Sequence, residues 1–344
     1  MNDLSIRDVV RNPEWLPHAF DPDGQELTFV HLPRAARSEL MFLFDQHFAG
    51  RFTKLSFPTA AVSQAAATEL VSAAQAPINF IFHTSFCGST LLAKALEVSG
   101  VASSMREPAI FTSLANRVSQ RDGRAVSDRL ELVLRLLERP LAPGESVIAK
   151  QTSFANRLAD HVLKARDMTR SVLLYSDLET YLVALLKRGM WGRIWGRKLF
   201  SNLRSWSTLN LDLDPDEILE LTDMQAASLA WLMQIHHFDA LAKEFGSRIM
   251  LLKSSQMFGA PAATLHQVMT FFDLGLNEVN ATNIAAGPIF AKHSKFSDRD
   301  YSVEERRRDT EIVSKANSEE ISMVVKWLES YVGHHGLSLR PSGV

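Results

Sequence analysis

"FIFHTSFCGSTLLAKALE" (80–97) decides how this chain is read. It passes from an apolar strand, through a loop of small residues, into an amphipathic helix. A helix N-terminus presents unpaired N–H groups and roughly half a positive charge. With a glycine that lets the backbone approach, such a turn can hold phosphate or sulfate. Here Cys87, Gly88, Ser89, Thr90 and Leu91 would supply the N–H groups, with Ser85 and Phe86 leading into them and two hydroxyls adding donors. The alternative is a helix start capped by small residues, with no ligand. Against G-x-x-x-x-G-K-[ST] the match is partial: His83 stands at the first glycine, Gly88 fits, Ser89 replaces the lysine and Thr90 fits. A lysine there would reach the β- and γ-phosphates, so its replacement argues against an NTP hydrolase or kinase.

Outward from this stretch, strands and helices alternate. Strands are expected at 78–83, 146–150, 171–176 and 247–253, and their unbroken apolar character suits a parallel sheet buried on both faces. Helices are expected from Ser89 to about Val98, across 125–138, from Asp177 to Lys187, and in a long run from Pro215. Ser176 with Glu179, and Ser302 with Glu305, have capping-box spacing, and "DPDE" (214–217) offers an aspartate cap followed by proline. Before the sheet, 26–32 reads as a strand and 35–48 as one amphipathic helix, and the Ala/Ser/Gln/Thr-rich 60–76 reads as a connector. The expected architecture is α/β, a three-layer P-loop-type fold with a mostly parallel central sheet. An N-terminal α+β extension (1–76) precedes the main domain (77–344), whose last third is helical.

Composition narrows the function classes. The 344 residues are 46% hydrophobic and 22% charged, with a net charge of −2, so nothing global points to nucleic acid or a membrane surface. No apolar run approaches the ~20 residues of a membrane helix. The amino terminus, with Asp3 and Asp8 among polar residues, does not read as a signal peptide. The single cysteine, Cys87, excludes an internal disulfide framework and a cysteine-cluster metal site. No metal is expected, and the reading is a soluble cytoplasmic protein.

With Gly88-Ser89-Thr90-Leu91-Leu92 after a strand, the segment resembles the 5′-phosphosulfate loop of the sulfotransferase superfamily, commonly Arg/Lys-Ser-Gly-Thr/Ser-Thr-Leu/Trp-Leu. The similarity continues in order through "MREPAIF" (105–111), "VIAKQTSF" (147–154), "SVLLYSDLETYLVALLKRG" (171–189) and 247–276. It implies a P-loop α/β fold and transfer of a sulfuryl group from 3′-phosphoadenylyl sulfate (PAPS) to a hydroxyl or amine. It also implies that no metal or covalent enzyme intermediate takes part. Some positions depart from the family. Phe86 stands where its loop has a cation, and Ser176 and Ala184 stand where an arginine and a serine bind the 3′-phosphate, while Asp177 is kept.

The resemblance places Glu107 as the general base and Lys150, at a strand end, as the group that neutralises charge in the transition state. A helix-start carboxylate and a strand-end lysine reaching solvent are the structural alternatives. Residues 180–211 hold six basic side chains and no acid, with Trp191, Trp195 and Trp206 interleaved. This run reads either as a solvated face or as a lid. Gly189, Gly192 and Gly196 favour the lid, since they would weaken a helix. Either Arg188, Arg193 and Arg197, or the basic loop with Lys292, His293 and Lys295, would then take over the 3′-phosphate, or the ligand lacks a 3′-phosphate. The expected partners are a nucleotide donor and an acceptor that no motif names. The alternatives are a phosphotransferase using Asp177 for Mg²⁺, and a non-catalytic binding module.

Overall fold

Unbroken apolar runs need a partner layer on both faces. The structure is a computed structural model that describes residues 4–48, 50–73, 75–118, 123–291 and 303–341. Its strands are β1 (Trp15–Phe20), β2 (Glu26–His31), β3 (Lys54–Pro58), β4 (Ile78–His83), β5 (Ala102–Arg106), β6 (Ser146–Lys150), β7 (Ser171–Tyr175) and β8 (Ile249–Lys253). The first three form an antiparallel sheet in the order β1-β2-β3. The others form a five-stranded parallel sheet in the order β5-β6-β4-β7-β8, so the fold is α/β. Every residue of β4, β5, β6 and β7 is buried. β4 lies between β6 and β7, and the connections from β4 to β5 and from β6 to β7 run in opposite directions across the sheet. Open α/β sheets bind ligands beyond the carboxyl end of a strand so placed, and the loop at 84–88 leaves β4 at that end.

The chain divides into two compact units, each assembled from separated stretches. The first comprises Met1–Ile81, Leu92–Ser171 and His266–Asn277. Within it, β2 pairs with β3 from Glu26↔Pro58 to Val30↔Lys54, and β6 pairs in parallel with β4 and β5. Three buried arginines hold the N-terminal segments through backbone carbonyls. Arg139 donates to the carbonyls of Val10 (2.7 Å), Asn12 (2.9 Å) and Trp15 (2.7 Å). Arg37 donates to Leu32 (2.8 Å) and Arg106 to Leu40 (2.7 Å). A buried guanidinium is tolerated when its donors are met in this way.

Two N-terminal expectations are corrected. The stretch 35–48 is two short helices, Arg34–Glu39 and Asp45–Phe48, with an irregular segment between. Leu40 adopts φ −70°, ψ 138° and ends the first. Leu43 then donates to the Arg106 carbonyl (2.8 Å) and accepts from Ala109 (3.1 Å), bonds that a continuous helix would forgo. The supposed connector is helical over Thr59–Glu69, as its alanines favour, and buries Val62, Ala65 and Ala66.

The second unit comprises Phe82–Leu91, Val172–Leu265 and Glu278–Val344. Here the supposed lid is a helix, Gly189–Arg204. A Cβ at Gly192 would lie 2.1 Å from the Leu185 carbonyl oxygen, and one at Gly196 would lie 2.8 Å from the Ala227 Cβ. These glycines permit close packing on neighbouring helices, which outweighs their poor propensity. The long helix expected from Pro215 is two helices, Pro215–Glu220 and Asp223–Phe245, each with a complete capping box (Asp214 with Glu217, Thr222 with Gln225). The Ser176–Glu179 box does not form: Asp177 is the N-cap residue of helix Leu178–Leu186, without a side-chain cap. Ser302 lies outside the described residues. Among these residues no helix is long and apolar enough to cross a membrane.

Candidate functional site

In the first unit, adjacent parallel strands β5 and β6 bring Glu107 and Lys150 together. Arg106 faces Lys150 in the register, so the next residue, Glu107, projects past the end of β6. The Glu107 N–H donates to the Lys150 carbonyl (2.7 Å), and Lys150 Nζ donates to Glu107 Oε1. Lys150 is 1% exposed and Glu107 16%. Lys150 therefore does not reach solvent, and the strand-end alternative falls. Glu107 sits in the left-handed region (φ 51°), a conformation that costs a non-glycine residue energy. Helix Ala109–Val118 begins two residues later.

Two neighbours of the pair were not singled out from the sequence. Lys150 Nζ lies 5.2 Å from the Phe42 ring centroid, and the Phe42 and His47 rings meet edge to face at 5.3 Å. Burial lowers the His47 pKa, and the Glu107 charge opposes that shift. "LMFLFDQHF" had a helical apolar pattern, and nothing in it signalled a segment laid beside Lys150.

In the second unit, the loop after β4 is conformationally unusual. Ser85 (φ 74°), Phe86 (φ 54°) and Gly88 (φ 91°) are all left-handed. The Ser85 N–H donates to His83 Nδ1 (2.9 Å), and Thr84 N–H donates to the Leu174 carbonyl (3.0 Å). Cys87 is buried, its thiol directed at the Leu174 carbonyl (3.5 Å), which is a packing role. Ser89, Thr90 and Leu91 are buried in the first turn of helix Ser89–Ala95. The Thr84 hydroxyl is buried with no hydrogen-bond partner among the described residues. Such a group calls for a ligand or water. On the Cβ side of Gly88 stand Met257 and Phe258: an added Cβ would lie 2.4 Å from Met257 Cε and 2.8 Å from Phe258 Cζ.

The residues expected to serve a 3′-phosphate have other partners. Arg193 makes a two-bond ion pair with Glu320 (2.6 and 2.7 Å), and Arg197 pairs with Asp223 (2.7 Å). The Ser176 hydroxyl accepts from Ser254 (3.1 Å), and its carbonyl accepts from the Trp231 indole (2.9 Å). Asp177, the residue considered for Mg²⁺, pairs with Lys253 at 2.8 Å. Lys292, His293 and Lys295 lie outside the described residues. Ser176, Arg193 and Arg197 are thus each engaged within the protein.

The fold and these groups define an α/β protein with a strained small-residue loop after β4 and a carboxylate–ammonium pair at the ends of β5 and β6. No family model matches the chain, and no curated protein matches it. Three similar solved structures are two sulfotransferase domains and a sulfotransferase. The first, "Sulfotransferase Domain from the Curacin Biosynthetic Pathway", has a TM-score of 0.47 and 12% identity, covering 72% of this chain and 99% of that one. The second, from the Synechococcus PCC 7002 olefin synthase, has a TM-score of 0.39 and 14% identity, covering 72% and 96%. A sulfotransferase from Alicyclobacillus acidocaldarius has a TM-score of 0.38 and 12% identity, covering 72% and 95%. All three TM-scores lie below 0.5, and the roles of individual residues rest on this chain's own chemistry.

Proposed function

We propose that this protein is a sulfotransferase-like enzyme that moves a sulfuryl group from a phosphosulfate donor, PAPS, to a hydroxyl or amine. The observation that carries transfer rather than binding alone is the Glu107–Lys150 pair. A carboxylate held at a costly φ, bonded to a buried ammonium, is more than helix capping requires. Glu107 takes the proton as the acceptor oxygen or nitrogen bonds to sulfur. The sulfur–oxygen bond to the donor phosphate breaks, and its electron pair leaves on the phosphate oxygen. Lys150, held against Glu107, faces the negative charge that develops during transfer. The loop from Ser85 to Leu91 orients the donor through backbone N–H groups and hydroxyls.

A thermal-shift panel with adenosine 3′,5′-bisphosphate, PAPS, ATP and ADP, with and without Mg²⁺, tests the donor class. At 100 times its dissociation constant, a ligand of the native state stabilises by about 2.7 kcal/mol. Stabilisation by the bisphosphate and PAPS without metal is the expected result. Stabilisation confined to ATP with Mg²⁺ would turn the reading to phosphoryl transfer.

A further inference from the structure

Phe86 leaves loop 84–91 without a cation of its own, yet a guanidinium stands over it. The Arg188 Cζ lies 4.6 Å from the Phe86 ring centroid and 5.7 Å from that of Trp191. Phe86 meets Trp191 edge to face (6.3 Å) and Trp195 likewise (4.8 Å). The two rings facing the guanidinium thus hold it beside the left-handed segment of the loop. Unlike Arg193 and Arg197, Arg188 has no carboxylate partner among the described residues. Its Nε is shielded from solvent and has no hydrogen-bond partner there. A shielded guanidinium nitrogen without an acceptor is costly, and the aromatic faces offset that cost only in part.

We propose that Arg188 supplies the cation of this loop and binds the phosphate- or sulfate-ester group of the donor there. This rests on the anionic-donor reading above and adds a residue to it. The planar fork of arginine matches a tetrahedral oxyanion, and the guanidinium is already oriented by the rings. Its unmet donor then obtains an acceptor from the ligand. The charge that the loop lacks at position 86 returns from the residue preceding helix Gly189–Arg204.

Calorimetry on the full chain with adenosine 3′,5′-bisphosphate and inorganic pyrophosphate tests this, using Arg188→Met, which keeps an apolar stem between the rings, and Arg188→Lys. Arg188→Met is expected to bind at least tenfold more weakly, about 1.4 kcal/mol, with a flatter salt dependence and a melting temperature near wild type. Arg188→Lys is expected to recover part of the loss. Wild-type affinity in Arg188→Met overturns the proposal, as do equal losses in both variants accompanied by lowered melting temperatures, the mark of a packing role. If wild type binds pyrophosphate but not the bisphosphate, and Arg188→Met weakens it, Arg188 stands and the PAPS reading falls. If wild type binds neither probe, both fall.

Discussion

Glu107 and Lys150 are joined twice, through the Glu107 N–H to the Lys150 carbonyl (2.7 Å) and through their side chains. The backbone bond fixes where the carboxylate leaves β5, and the ammonium fixes where it ends. Each side chain is thereby held by its counterpart on the neighbouring strand.

Glu107→Gln retains an oxygen for Lys150 while losing the basic carboxylate. Turnover in a sulfuryl-transfer assay is expected to fall by about 10²–10⁴-fold, with bisphosphate affinity preserved. Lys150→Met instead strands a partly buried carboxylate and is expected to cost about 3–5 kcal/mol in urea unfolding. Unchanged turnover in Glu107→Gln would remove Glu107 from the chemistry.

At Gly88, Ala is expected to destabilise by about 1–3 kcal/mol, through φ 91° and the approach to Met257. Met257→Ala should relieve the contact and leave the backbone strain. A double-mutant cycle in urea is therefore expected to show partial recovery. Strict additivity would mean that Met257 does not limit this position.

His18 and His161 are expected to act oppositely on acidification. Burial holds the His18 pKa below its ordinary 6.5, against the opposing pull of Asp45. As pH falls through about 6.5 the unfolded chain gains a proton that the folded chain refuses, so stability drops until the depressed folded value is reached. The hydrogen bond to Asp160 raises the His161 pKa. Its contribution is fully present below about 6.5 and is lost as pH rises through the raised folded value. Urea midpoints from pH 5 to 8 should show a smaller acid loss in His18→Gln than in wild type, and a larger one in His161→Gln. Three parallel profiles would exclude both residues from the pH dependence.

The ion pairs of Arg193 and Arg197 have side chains 26–43% exposed, so they are solvent-screened. Arg193→Ala and Arg197→Ala are each expected to cost at most about 1 kcal/mol. Denaturant unfolding checks this, and a loss several times larger would show that the pairs anchor more than their own helix.

The sequence by itself determined the strands β4, β6, β7 and β8, the loop that follows β4 and the helix after it. Continuous apolar runs and small-residue loops are properties of neighbours along the chain, so they are legible there. The resemblance of "MREPAIF" and "VIAKQTSF" to family motifs placed Glu107 and Lys150 among the candidates, Lys150 at the end of an expected strand. Tertiary structure decided the rest. β5 reads Ala-Ser-Ser-Met-Arg, with no strand-like hydrophobicity, and is a strand because β6 pairs with it. Residues 40–44 leave the helical pattern because Leu43 bonds to Arg106 and Ala109. Glycines that weaken an isolated helix serve packing at Gly192 and Gly196 once Leu185 and Ala227 stand opposite. The same holds for charge: one acid-free run contains Arg193, whose carboxylate lies 127 residues away, and Arg188, which faces aromatic rings instead. Propensity and periodicity act between chain neighbours, whereas the pairing of a charge depends on which distant segment the fold sets beside it.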